Sequence, residues 1–161
     1  DRADMLCALG QTVILSNCIQ HKKLIAYFAD YRVRRIGLAM GVRKLQNIIR
    51  DTYENNPNNL LGAFGKLFPR NVRFYVYPAR EKDGTLLNVK NIDVPHPIHF
   101  LYDHLLENQN IVDIQAFDPD ILDIYHKDVL DMIRQGQAGW EEKVPVEVAR
   151  LVKKKRLFGF I

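Results

Sequence analysis

Cysteine is scarce in this sequence, which contains only Cys7 and Cys18 among its 161 residues. The two are not spaced as a Cys-x-x-Cys motif, so they predict neither a disulfide scaffold nor a cysteine metal site. We expect two buried free thiols in a reducing compartment, which favours a cytoplasmic protein.

Long hydrophobic runs are also absent. No apolar run approaches the roughly 18 residues that span a bilayer, so we expect no membrane partner. The charged start is not followed by the apolar region of a signal peptide. Because the chain begins at Asp1 rather than at a methionine, we expect an excised domain or a cleaved product of a longer protein. Since the sequence has no internal repeat and no linker, we expect residues 1–161 to be a single domain, the C-terminal domain of that protein.

The composition is that of an ordinary soluble globular domain, with 47% hydrophobic and 26% charged residues. The net charge of +4 comes partly from the basic run 153–156 and partly from arginines and lysines between residues 32 and 44. Such a balance tolerates a small anionic ligand or a nucleotide without requiring one, and each basic run is equally typical of a solvated helix face. We do not expect nucleic acid as a partner.

Short apolar runs alternate with helical patterns along the chain. Continuous apolar character is typical of strands buried in a parallel sheet, and it is found in 12–16 and 36–40; segments 72–77 and 111–115 are predicted as two further strands. Amphipathic helices separate these segments, and Asp83-Gly84 indicates a tight turn in an excursion over 80–95. The order predicts an α/β fold, a three-layer domain with a mostly parallel, four-stranded sheet and helices on both faces.

Candidate ligand-binding residues lie where the predicted strands end. Ligands of open parallel sheets bind beyond the carboxyl ends of the strands, which selects Ser16 and Asn17 after the first strand. After the second strand come Gly41, Arg43 and Lys44, where a helix N-terminus and two cations favour a phosphate or carboxylate. The segment lacks the P-loop and dinucleotide glycine patterns, and two solvated cations at a strand–helix turn are the alternative.

Two histidines, His96 and His99, lie three residues apart at the start of a predicted helix. This spacing lets two side chains face one ligand, but no cysteine or carboxylate completes a metal pattern apart from Asp103 one turn later. The alternative is one capping and one packed histidine. We therefore predict no metal site, and no Ser/His/Asp or Cys/His arrangement assigns catalytic residues.

The last part of the chain carries the most distinctive pattern. The segment IYHKDVLDMIRQG ends a helix on Gly136, and WEEKVPVEVARLVKKKRLFG contains Val144-Pro145, Val148 and a final Leu157-Phe158. This pattern resembles the C-terminal end of nicotinate/nicotinamide-nucleotide adenylyltransferases of the nucleotidyltransferase superfamily. Over its whole length the sequence is similar to the C-terminal part of larger bacterial proteins named as adenylyltransferases or as TonB-dependent receptors.

The resemblance implies a role in nucleotide metabolism. The hydroxyl residues with which the family contacts nucleotide phosphates correspond to His126 and Lys127, and the arginine of its motif corresponds to Leu130. The catalytic His-x-Gly-His segment is not found, since His96-Pro97-Ile98-His99 has isoleucine in place of glycine. The resemblance thus implies a nucleotide- or phosphate-binding domain without complete catalytic machinery, with ATP or a nicotinamide nucleotide, and Mg²⁺, as candidate cofactors.

An interaction module is the alternative function that the sequence leaves open. In that case the basic run 153–156 would dock an acidic partner, or the domain would assemble with the rest of its parent polypeptide. In either case we expect the chain end to pack through Trp140 and through apolar residues at helical spacing. These are Val144, Val148, Leu151, Leu157 and Phe158.

Overall fold

The computed structural model describes residues 2–18, 21–81 and 83–160. The described residues form two units. The central unit runs from Cys18 to Asp118, and the terminal unit combines the residues up to Asn17 with those from Pro119 onward. That the chain is one domain stays a prediction.

A parallel sheet organises the central unit. It contains β1 (Ile36–Gly41), β2 (Val72–Tyr77) and β5 (Ile111–Asp113) in the order β1-β2-β5. Ile36 lies opposite Val72, and Phe74 lies opposite Ile111. The α/β class is therefore confirmed, as are the three parallel strands predicted after residue 35.

The first predicted strand is wrong. Residues 11–18 form neither helix nor strand, and the sheet of the central unit has three strands rather than four. Ile14 and Leu15 are 78% and 84% exposed, so this apolar run is not buried. A strand needs a neighbouring strand to satisfy its backbone hydrogen bonds, and a short apolar run alone does not provide one.

The central unit has four helices: α2 (His21–Asp30), α3 (Val42–Glu54), α4 (Leu60–Leu67) and α5 (His99–Glu107). Helices α3 and α5 pack on the strands, α4 packs on α3, and α2 packs on α4. In α3, Val42, Leu45 and Ile49 are buried at helical spacing against the sheet residues Phe74 and Val76. A short antiparallel pair, β3 (Ala79–Arg80) and β4 (Leu86–Leu87), forms the predicted excursion.

The sheet buries only one of its faces. Along β2, Phe74 and Val76 are buried whereas Arg73 and Tyr75 are exposed. Gly37 of β1 is exposed on the same open face. The prediction of three layers is thus wrong for the described residues. Strand order follows chain order, and since crossovers are almost always right-handed, successive helices fall on the same side of the sheet.

The terminal unit is helical. It contains α1 (Arg2–Ala8), α6 (His126–Arg134) and α7 (Val146–Lys155), with 3-10 turns at Trp140–Lys143 and Leu157–Gly159. Trp140 and Leu157 are buried in its apolar cluster, and Val144, Val148, Leu151 and Phe158 pack against that cluster. The predicted packing of the chain end is confirmed.

Both cysteines are free thiols, but the prediction that they are buried is wrong. Cys7 is exposed and Cys18 is half-buried. Helix α1 contributes Met5 to the apolar cluster of its unit, and Cys7 does not belong to that cluster. Among the described residues, no helix has both the length and the apolar character to cross a membrane.

Candidate functional site

The segment predicted to bind phosphate begins at the junction of β1 and α3. Gly41 ends the strand and precedes the helix with an extended backbone, φ −73° and ψ 151°, and no side chain caps the helix there. Arg43 forms an ion pair with Glu81 at 3.1 Å, whereas Lys44 lines a cavity. Consecutive helix residues point about 100° apart, so the two cations have different neighbours.

The cavity that Lys44 lines, called here the lysine cavity, has a volume of about 630 Å³. It lies among α2, α3 and α4, and each helix contributes a basic side chain to it. Its charged and titratable side chains are His21, Lys22, Lys44, Asp51 and Lys66. Three ammonium groups thus surround the cavity together with one carboxylate, which gives it an excess of positive charge.

The charge of Lys44 affects the His21 imidazole, which lines the same cavity. Burial lowers the pKa of the half-buried His21 imidazole below its usual value, and the nearby Lys44 ammonium lowers this pKa further. His21 is therefore mostly neutral near pH 7 and can donate or accept a hydrogen bond. None of the three ammonium groups has a carboxylate partner among the described residues.

Three uncharged polar side chains that line the lysine cavity donate hydrogen bonds to backbone carbonyls of α3. Asn55 Nδ2 donates to the carbonyl of Asp51 at 2.8 Å, and Asn56 Nδ2 donates to that of Thr52 at 2.9 Å. The hydroxyl of Thr52 donates to the carbonyl of Ile48 at 2.6 Å. The ammonium groups are the charged donors of the cavity, and they suit an anion.

The other predicted binding residues belong to the terminal unit. Ser16 and Asn17 are exposed in the irregular segment 11–18, so the strand end that selected them is not formed. His126 begins α6 and, like Lys127, is exposed. His126 also borders an apolar cavity of about 730 Å³ within its unit. The structure places Ser16, Asn17, His126 and Lys127 in one unit, and Gly41, Arg43 and Lys44 in the other.

The paired histidines contact each other, and His99 also contacts the backbone. The rings of His96 and His99 lie 5.6 Å apart, and His99 Nε2 is 2.6 Å from the carbonyl oxygen of Val94. In the part of the chain that the structure describes, no group of three or more histidine, cysteine or acidic residues is placed to hold a metal ion.

One cluster was missed by the sequence analysis. Four exposed arginines border a cavity of about 980 Å³ at the amino ends of the parallel strands, called here the arginine cavity. They are Arg34, Arg35, Arg70 and Arg73. The available signal was a basic pair just before β1 together with basic residues on both sides of the start of β2.

Comparison with known proteins identifies no relative of this chain. No protein-family model matches it, and neither a curated protein nor a solved structure is significantly similar. The resemblance to adenylyltransferases therefore stays a prediction.

Proposed function

We propose that this chain binds a small phosphate-bearing ligand, a nucleotide, in the lysine cavity. It would do so as the C-terminal domain of a cytoplasmic bacterial protein of nucleotide metabolism that resembles the nucleotide adenylyltransferases. The observation that carries the proposal is the convergence of Lys22, Lys44 and Lys66 on one cavity, with no carboxylate partner for them among the described residues.

The chemistry of the cavity suits phosphate. Lysine binds phosphate as a point charge with three donors, and several ammonium groups around one cavity favour a multiply charged anion. Lys44 also lies in the first turn of the 13-residue helix α3, where the dipole and the free N–H groups favour negative charge. The neutral imidazole of His21 adds a hydrogen-bonding group without opposing the anion.

We propose binding without complete catalysis. His99, which would belong to a His-x-Gly-His motif, contacts the carbonyl of Val94 through its ring. Among the described residues that line the lysine cavity, no nucleophile is hydrogen-bonded to a base. ATP and nicotinamide mononucleotide, each with and without Mg²⁺, are the ligands to examine first.

Calorimetric titration with ATP, nicotinamide mononucleotide and pyrophosphate tests the proposal. Lys44→Ala should weaken binding roughly 10- to 100-fold, because a hydrogen bond to a charged group contributes about 1.5–3 kcal/mol. Lys90→Ala is the matched control, since Lys90 is exposed in the same unit and does not line the cavity. Arg43→Ala should have a smaller effect because Arg43 pairs with Glu81. Wild-type binding that survives Lys44→Ala and Lys66→Ala unchanged would exclude this cavity.

An assembly module is the second candidate, and an apolar cavity in the terminal unit favours it. Leu6 and Leu9 border that cavity and are 46% and 37% exposed, a surface that the rest of the parent polypeptide would cover. The basic run is a weaker docking element than its sequence indicates. Lys153 pairs with Glu141 at 2.6 Å and Lys155 with Asp4 at 3.7 Å.

Thermal unfolding distinguishes the two candidates. A ligand that binds only the folded state raises the melting temperature by mass action. ATP, nicotinamide mononucleotide or pyrophosphate should therefore raise the melting temperature of a nucleotide-binding domain. An assembly module should respond to none of the three.

A further inference from the structure

The open face of the sheet and the arginine cavity at its amino end form one continuous surface. Arg73 and Tyr75 of β2 and Gly37 of β1 belong to the open face and also line the cavity. We propose that this surface binds single-stranded nucleic acid. The proposal concerns a different surface from the lysine cavity and does not depend on nucleotide binding there.

Charge is the first argument. The arginine cavity is lined by four exposed arginines, and none of the described residues that line it is acidic. None of the four guanidinium groups has a carboxylate partner among the described residues. Arg50 shows the contrast, because it pairs with Asp93 at 3.0 Å. Unpaired guanidinium groups bind phosphate oxygens in bidentate geometry, so the surface is complementary to a phosphate backbone.

The spacing of the arginines favours a polymer over a single phosphate. Arg34 and Arg35 precede β1, Arg70 precedes β2, and Arg73 lies within β2. Neighbouring strands are about 4.8 Å apart, and Arg70 and Arg73 are three residues apart, so the guanidinium groups are distributed over two strand starts and up to roughly 10 Å along the chain. Cations distributed over such a distance can contact several phosphates of one strand.

An aromatic ring on a small-residue platform is the second argument. Tyr75 is 39% exposed on the open face, and the β1 residues of that face are Gly37 and Ala39. These small residues do not cover the exposed side of the tyrosine ring, where a planar base can stack. Proteins that bind single strands stack unpaired bases on aromatic side chains of a sheet, a contact that contributes about 1–3 kcal/mol per base.

A polar rim completes the surface. The turn before β5 contributes Asn108, Gln109 and Asn110 to the arginine cavity, and Gln109 has a left-handed backbone with φ 56°. Side-chain amides can donate to and accept from base edges. A duplex presents its bases stacked, so an aromatic platform with this rim suits a single strand.

Fluorescence anisotropy with labelled oligonucleotides tests the proposal. The probes are mixed-sequence single-stranded RNA and DNA of about twelve nucleotides and a duplex of the same length, titrated from about 50 to 300 mM KCl. We expect tighter binding of the single strands. The slope of log Kobs against log[salt] should be close to −3, because each phosphate contact on a single strand contributes about −0.7 and four arginines are available.

The variants separate charge from stacking. Arg35→Ala with Arg73→Ala should reduce the magnitude of the salt slope by about 1.4, as two phosphate contacts are lost. Tyr75→Ala should weaken binding about 5- to 150-fold at unchanged slope, which corresponds to the loss of one stacked base. Tyr75→Phe keeps the ring and should bind normally. Arg50→Ala with Lys90→Ala, which removes two positive charges elsewhere in the central unit, is the matched control.

The same titrations can overturn the proposal. The proposal would be excluded if single strands do not bind at about 50 mM salt. It would also be excluded if the duplex binds as tightly as the single strands and Tyr75→Ala does not change the affinity. If ATP competes with the oligonucleotide at equal affinity, the ligand of this surface is a mononucleotide and not a polymer. Binding lost in Lys44→Ala but kept in Arg35→Ala with Arg73→Ala would assign the ligand to the lysine cavity.

Discussion

The ring of Tyr75 leans against Gly37 of the neighbouring strand, so closely that a Cβ at Gly37 would lie 3.0 Å from Tyr75 Cε2. Glycine at this position therefore sets where the exposed ring lies. We predict that Gly37→Ala displaces the ring, changes the near-ultraviolet circular dichroism of the tyrosines and weakens oligonucleotide binding. Since the ring is exposed and can move, the free energy of unfolding should change by less than about 1 kcal/mol.

Gly41→Ala is the matched control for this change. Gly41 belongs to the same strand, but no atom lies within 4 Å of the position that its Cβ would take. It should leave both the spectrum and the oligonucleotide affinity unaltered. Equal effects of the two substitutions would contradict a specific contact between residues 37 and 75.

The buried hydroxyl of Tyr102 donates a hydrogen bond to the carbonyl of Val89 at 2.7 Å. Tyr102→Phe should lower the free energy of unfolding by about 1–2 kcal/mol, because a buried carbonyl loses its partner. Urea denaturation measures the change. Tyr75→Phe, at an exposed tyrosine, is the control and should be close to neutral. An unchanged midpoint for Tyr102→Phe would mean that this hydrogen bond does not contribute to stability.

Alkaline pH should destabilise the protein through Tyr102. Burial raises the pKa of its hydroxyl, and the carboxylates of Asp113 and Asp103 raise it further. Below about pH 10 both folded and unfolded states keep the proton; above it the unfolded state loses the proton first, so stability falls as pH rises. From about pH 9 to 11, wild type should lose more stability than Tyr102→Phe, by up to about 1.4 kcal/mol per pH unit. Parallel losses would assign the alkaline effect to other groups.

Trp140 anchors the terminal unit. It is 2% exposed, its ring meets that of Phe160 at 5.9 Å, and the ammonium of Lys153 lies 5.8 Å from its centroid. Trp140→Ala should cost about 3–5 kcal/mol through loss of packing and creation of a cavity. Val146→Ala, on the exposed side of α7, should cost far less. An unchanged urea midpoint for Trp140→Ala would disprove this packing.

The pKa of His21 reports the geometry of the lysine cavity without any ligand. Lys44→Ala should raise the pKa of His21, because it removes a nearby positive charge. The pKa should stay below its usual value, since burial is the larger cause of its lowering. A proton NMR titration of the imidazole measures the change, with Lys90→Ala as the control. If Lys44→Ala leaves the pKa of His21 unchanged, the ammonium group of Lys44 lies farther from the His21 imidazole than the structure indicates.

The alternation of apolar runs and amphipathic helices was sufficient to predict the α/β class. The strand at Ile36–Gly41 followed from continuous hydrophobicity, and parallel pairing with Val72–Tyr77 followed from the helices between them. The packing of Trp140 was equally predictable from apolar residues at helical spacing. In each case the pattern lies within one short segment, and the hydrophobic pattern of a segment favours the same secondary structure whatever its neighbours in space are.

Pairing and covering of the strands were not predictable in the same way. The run TVIL at 12–15 has strand-like composition, yet residues 11–18 form no strand. The open face of the sheet follows from the strand order β1-β2-β5, a long-range property that no window of sequence contains. Lys44 was selected as a phosphate ligand, but its cavity partners Lys22 and Lys66 were not, because they come from other helices.

By itself, the sequence determined the class of fold, the apolar residues that anchor the chain end and one cation of the lysine cavity. Only the tertiary structure decided which charges lie together. Arg34 and Arg70 are far apart in the chain, and they meet because parallel pairing brings the amino ends of β1 and β2 to the same edge. The expectation that nucleic acid is no partner rested on the net charge of +4, which does not show where the charges lie in space. Electrostatic attraction depends on distance in space, and folding sets that distance.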